Sequence, residues 1–303
     1  MTNEHAFYIQ QILGELEFPF TYEKALQFAL FRTYGIPSVS KLLVQTSEFS
    51  EKATATKRYV DTTVLVGEFA GYHPQSERSI EALGRMNFIH HQYRKCGKIL
   101  DDDMLYTLSL FAGEPIRWID KYEWRKLEDF EKCAMGTFWK AIGDAMGIEY
   151  EKLKSGGKDG EGWRDGLEWL EEVMEWGLEY EKKCMVPDEN NRQTAEQTVA
   201  ILLWGVPTAM KPYGRMAVSA IMDDRLRTAI MLVYRVIANN SEAIAILMAY
   251  HPDSRDRPKC ISSSLLPSSQ SANSSSATFS FPARPSYAFT GPQTSHLKKA
   301  DTS

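Results

Sequence analysis

Between residues 1 and 250, apolar side chains return at spacings of three and four, and long alternating β-branched runs bounded by Asn-Gly or Asp-Gly turns are missing. That pattern predicts helices and no sheet. Pro19 with Thr21 opens a helix through Leu26 and Leu30 to Gly35, and Pro37 with Ser38 opens the next, through Leu42 and Leu43. Pro and Gly stand where helix starts and stops place them. Further helices are predicted from Glu51 to Gly71, Ser76 to Cys96, Asp102 to Ala112, Leu127 to Met146, Trp163 to Met185 and Thr194 to Trp204. A last one runs from Met216 to Ala249 with a break near Asn239. The expectation is an all-α bundle of roughly ten helices.

From Ser254 the pattern stops and Ser, Pro and Ala dominate, with runs such as Ser262-Ser263-Ser264 and Ser274-Ser275-Ser276. The division expected is a helical domain over residues 1–250 and a disordered tail over 251–303.

Composition narrows the function classes. The chain has 303 residues, 43% apolar and 25% charged, enough for a full core. Its net charge of -5 offers no general attraction for nucleic acid or an anionic surface. Cys96, Cys133, Cys184 and Cys260 lie far apart with no CxxC pair, which argues against zinc or a disulfide scaffold and for reduced thiols. Met1 to Leu16 lacks the basic start and apolar stretch of a signal peptide. The most apolar windows, Val199 to Trp204 and Ala229 to Tyr250, are cut by Gly205 and Pro207 and by Arg235, Asn239, Asn240 and Glu242. The expectation is a soluble intracellular protein, a pattern compatible with peripheral membrane contact.

Candidate chemistry is sparse. Of six histidines, His90 and His91 sit inside a strong helical pattern; Leu83, Met86, His90 and Tyr93 share one stripe, so His90 faces the core and His91 points about 100° away. A buried imidazole needs an acceptor, a metal or a cofactor, so two readings stay open, a satisfied core histidine and an iron ligand. Arg58 and Thr62 stand one turn apart on the preceding helix, able to address one cavity or equally to be a surface Arg and a Thr bonded back to its own backbone. No GxSxG elbow supports a serine triad, and a non-haem facial triad lacks its second histidine. Gly156, Gly157, Gly160 and Gly162 lack phosphate-loop spacing and read as a surface loop. Asp101-Asp102-Asp103 reads as capping and dipole compensation. Arg117, Trp118 and Trp124 read as a packed corner with cation–π contacts, and Trp163 to Glu181 as a packing helix with an acidic outer face.

Several stretches carry a family likeness. Glu17-Phe18-Pro19-Phe20, Phe28 to Pro37, Lys57-Arg58-Tyr59-Val60-Asp61-Thr62, Arg85 to His90, Asp102 to Phe111 and Glu114-Pro115-Ile116-Arg117-Trp118 resemble the fungal branch of the rubber oxygenase superfamily. That branch holds the endoplasmic-reticulum-bound oxygenases of mycophenolic acid biosynthesis, and the bacterial branch the latex-clearing proteins. The resemblance spans roughly residues 10–250. It implies a globin-like fold holding haem b, and an oxygenase that uses dioxygen to split a carbon–carbon double bond in an isoprenoid or other hydrophobic substrate. The family's Arg-three residues-Thr motif falls on Arg58 and Thr62, and its proximal haem histidine on His90. Association with the endoplasmic-reticulum membrane is implied likewise, although the amino-terminal anchor of the membrane-bound fungal relative is not seen here. Asp61 stands where bacterial relatives carry a Lys, and Leu108 where they carry a second histidine. The other readings are a catalytically inactive haem-binding or scaffold protein of the same fold, and a non-haem metal oxidase.

Overall fold

The computed structural model describes residues 1–46, 52–156 and 162–232, with backbone alone for 52–56, 58 and 59. Among these residues it is all-α, with eleven α-helices and no strand. They are α1 (Asn3–Gln11), α2 (Pro19–Thr33), α3 (Pro37–Gln45), α4 (Lys52–Gly71), α5 (Glu77–Lys95), α6 (Asp101–Tyr122), α7 (Asp129–Ala145), α8 (Gly166–Cys184), α9 (Glu189–Leu202), α10 (Lys211–Ile221) and α11 (Asp224–Ala229). The expected tail, the break near Asn239, and Gly157 and Gly160 of the glycine cluster lie outside the described residues.

Local chemistry sets most boundaries. Pro19 and Pro37 open α2 and α3, and Ser76, Asp165, Asp188 and Asp223 cap the first turns of α5, α8, α9 and α11 through their side chains. Glu128 and Glu131 form a reciprocal capping box at α7.

Helix α6 is the central post. From Asp103 to Ile116 nearly every residue is buried, and it packs chiefly on α2, α8 and α7. It is longer than the pattern predicts, because it runs through Gly113 and Pro115 to Tyr122. A mid-helix proline costs about 3 kcal/mol or more. Here Phe111 stacks on Trp139 at 5.4 Å, Trp118 tilts against Phe28 at 5.2 Å, and Ile116 and Ile119 are buried, each large apolar side chain contributing about 1.5–3 kcal/mol. The expected corner is therefore helix up to Tyr122. Arg117 pairs with Glu114 at 2.7 Å, and the guanidinium lying over Phe18 and Trp124 belongs to Arg125.

Two other differences have clear causes. Helix α1 is not predicted, since Gln10 interrupts the apolar stripe of Ala6, Phe7 and Leu13; Gln10 is buried all the same, donating from Nε2 to Tyr22 Oη at 3.0 Å. The last described stretch breaks at Met222–Asp223, where Asp223 caps α11 and pairs with Arg32 at 2.5 Å. Helices α7 and α8 cross closely because a Cβ at Gly136 would meet the carbonyl oxygen of Gly166 at 1.9 Å.

A buried charge cluster joins several of these helices. Arg32 donates from Nε and Nη2 to the two carboxylate oxygens of Glu181 at 2.6 and 2.8 Å, and Tyr106 Oη donates to Glu181 Oε1 at 2.9 Å. Burial disfavours the charge on Arg32, but Glu181 and Glu114 outweigh it and hold the guanidinium protonated well above its ordinary range. The cluster ties α2, α6, α8 and the start of α11 together.

Candidate functional site

Six helices enclose a cavity of about 200 Å³. Three of them present it one face each. Helix α4 brings Thr62, Val66 and Phe69, α5 brings Met86, His90 and Tyr93, and α6 brings Asp103, Met104, Thr107, Leu108 and Phe111. Those spacings of three and four are what one stripe of a helix offers. Leu30, Thr33 and Tyr34 close it from the end of α2, Ser38 to Thr46 from α3, and Trp139, Ile142 and Met146 from α7. The walls are mostly aliphatic and aromatic, with few polar groups, the composition of a site for an apolar small molecule.

The α4–α5 hairpin positions the two candidates that share this wall. It turns at Tyr72 to Ser76, where His73 Nδ1 accepts from the Gln75 amide at 3.2 Å and Ser76 caps α5. About one and a half turns before its end α5 presents His90, half-buried, with Nδ1 shielded from solvent, while His91 is exposed as its angle predicts. Thr62 lines the cavity from α4, and Arg58 stands one turn earlier on the same helix, its side chain lying outside what the structure describes. Thr62 and His90 are thus brought to one cavity.

Much of the remaining polarity is committed. Thr33, Thr46 and Thr107 donate to the carbonyls of Leu30, Leu42 and Asp103 at 2.7, 3.0 and 2.8 Å. Asp103 differs from the capping role expected of it. Leu100 is the N-cap of α6, and Asp103 is buried, accepting at Oδ1 from Ser38 Oγ at 2.9 Å and from Tyr180 Oη at 2.8 Å. Burial raises its pKa above the usual carboxylate range, Tyr180 and Ser38 oppose that, and Asp102 adds to it. Lys98 reaches the cavity from an exposed position. Sequence reasoning misses Asp103 and Lys98 as wall residues; the available signal is that Asp103 and Thr107 share the stripe of Met104, Leu108 and Phe111.

Leu108 is a buried cavity residue and Asp61 is exposed. Among the described residues no three His, Cys, Asp or Glu side chains gather to hold an ion, and no helix is long and apolar enough to cross a membrane.

The fold and site define an all-α protein with an internal apolar cavity carrying one imidazole. No family model matches the sequence. The chain is 52% identical over 233 residues to the ER-bound oxygenase mpaB of Penicillium roqueforti (strain FM164), covering 77% of each chain. It is 51% identical over 231 residues to the ER-bound oxygenase mpaB' of Penicillium brevicompactum, covering 76% of this chain and 54% of that one. To mpaB of Penicillium brevicompactum it is 45% identical over 269 residues, 88% of this chain and 67% of the relative. The chain belongs to the family of ER-bound oxygenases that mpaB represents, which places it among enzymes of the oxygenase class.

Proposed function

We propose that this oxygenase depends on haem b and uses dioxygen to cleave a carbon–carbon double bond in an isoprenoid or other hydrophobic substrate. The observation that carries the reading is that His90 and Thr62, on separate helices 28 positions apart, line one mostly apolar cavity. The residues fit the cofactor's needs. A porphyrin brings four nitrogens of its own, so one protein imidazole in an apolar wall is a sufficient donor set. At about 200 Å³ the enclosed space is small beside the ~300–1,000 Å³ of typical ligand sites, so cofactor and substrate together would extend through its mouth.

In this reading His90 holds the iron through Nε2, since Nδ1 is shut away from solvent. Bound haem would supply the iron centre at which dioxygen is activated. Arg58 and Thr62 act from one face of α4, the guanidinium suited to a carboxylate such as a propionate and the hydroxyl to a single hydrogen bond. The aliphatic and aromatic walls exclude water and hold the substrate chain by contact area. The relatives are named ER-bound, which supports the reading that this chain works inside the cell at the endoplasmic-reticulum membrane, by peripheral contact.

The test is spectroscopic first. A purified sample should show a Soret band, a b-type pyridine haemochrome near one haem per chain, and oxygen uptake that depends on an added isoprenoid alkene. A folded, colourless protein that cannot be loaded with haem would overturn the reading, and haem without alkene-dependent uptake would leave an inactive haem binder.

A further inference from the structure

Four carboxylates are buried among the described residues, Asp103, Glu114, Glu131 and Glu181. Three face a guanidinium: Glu114 meets Arg117 at 2.7 Å, Glu131 meets Arg125 at 2.7 Å and Glu181 meets Arg32 at 2.6 Å. Among the described residues Asp103 has no cation within ion-pair distance, although it is 6% exposed. An unpaired buried carboxyl is costly, and such groups gather at functional sites. This one lies on the cavity wall.

Its supports aim it. Ser38 from α3 and Tyr180 from α8 both donate to Oδ1, at 2.9 and 2.8 Å. Tyr180 is itself fixed, stacked on Trp176 at 5.1 Å and tilted against Tyr106 at 5.2 Å. Two donors on one oxygen fix the plane of the carboxyl and leave Oδ2 as the acceptor for a molecule in the cavity.

We propose that Asp103, braced by Ser38 and Tyr180, is the head-group acceptor of the cavity and selects hydrophobic substrates that end in a neutral hydrogen-bond donor such as a hydroxyl. This rests on reading the cavity as the substrate site. In a mostly apolar slot, one buried directional acceptor fixes which end of a chain enters first and so which part lies beside His90 and Thr62. A site built around a donor rejects the analogue lacking it far more strongly than contact area alone would. An anionic head is repelled by the carboxylate and drawn instead to Lys98 at the exposed rim.

Binding tests this without turnover. The full chain is titrated with geraniol, geranyl methyl ether and geranic acid, read by tryptophan fluorescence, since Trp139 lines the cavity. Geraniol should bind at least about tenfold tighter than its ether, the scale of one hydrogen bond to a charged acceptor. Asp103→Asn should bring the two within about twofold while the methyl ether binds as before. Ser38→Ala and Tyr180→Phe should each lose part of the preference, and they carry the test if Asp103→Asn does not fold by circular dichroism. Equal binding of alcohol and ether, tighter binding of geranic acid, no binding of any of the three, or an unchanged preference in the folded variants would overturn the proposal. A strut role alone would move melting temperatures but not the alcohol-to-ether ratio. Haem content and oxygen uptake are separate readouts, so failure of the oxygenase reading is distinguishable from failure of this one.

Discussion

Replacing Arg32 by Met removes the cation at the centre of the buried charge cluster while keeping a flexible stem of similar reach. Glu181, 2% exposed, then retains only the Tyr106 hydroxyl at 2.9 Å among the contacts described above. Glu114 keeps Arg117 at 2.7 Å, and the Asp223 side chain, 46% exposed, is hydrated, so the loss falls on Glu181. Two charge-assisted hydrogen bonds vanish, each about 1.5–3 kcal/mol, partly offset because a guanidinium no longer has to be desolvated. Breaking a buried pair of this kind costs about 3–5 kcal/mol. At about 2–4 °C per kcal/mol for a domain of this size, Arg32→Met should melt about 6–20 °C lower in far-ultraviolet circular dichroism. Joining it with Glu181→Leu removes both charges and should restore most of the loss, because well-packed apolar replacements of buried pairs are often neutral. A single variant within about 1 kcal/mol of the parent, or a double variant no better than the single, would refute the argument that an uncompensated Glu181 is the source of the penalty.

Three further outcomes are expected. His90→Ala should lose most of the haem and its Soret band, and full occupancy with an unchanged spectrum would remove His90 as the ligand. Arg58→Ala should lower oxygen uptake by more than it lowers haem content, whereas equal losses in a haem titration would make Arg58 a propionate anchor instead. The pH dependence of Asp103 has a definite sign. Burial raises its folded pKa above the ordinary 3.8, so the folded chain holds this proton more tightly than the unfolded one, and its stabilising contribution falls as pH rises through the raised value. The melting temperature of the parent minus that of Asp103→Asn should therefore shrink as pH rises above the ordinary carboxylate value, and a difference that grows with pH would contradict it.

What could be read from the sequence followed its local physics. The helical periods, with Pro19, Pro37 and Ser76 as starts, give α2, α3 and α5 nearly to the residue, and the four-residue step from Met86 to His90 puts the imidazole on the inner stripe. The misses involve partners far away in the chain. Helix α6 survives Pro115 because Trp139 and Phe28 pack on it, and α1 hides behind a Gln10 whose partner is Tyr22. Asp103 looks like a capping residue because Ser38 and Tyr180 are 65 and 77 positions distant. A run of three aspartates carries no local mark telling which one turns inward.

The two departures from the bacterial pattern point the same way once placed in the fold. Leu108, where the resemblance to the bacterial branch implies a second histidine, is a buried part of the cavity wall, and Asp61, where it implies a Lys, is exposed on α4. Thr62 is next to Asp61 in sequence yet lines the cavity, because one residue is about 100° of helix. Bringing Asp61 inward would require rotating α4 and removing Thr62, Val66 and Phe69 from the wall together. Among the described residues the wall offers one imidazole and the exposed Lys98, a donor set that the proposed cofactor, bringing four nitrogens of its own, would complete. Under the proposed function, substrate selection falls to the apolar stripes of α4 and α6 and to the carboxyl of Asp103. On that proposal, exchanges there should change which alkene is accepted while the haem spectrum stays constant.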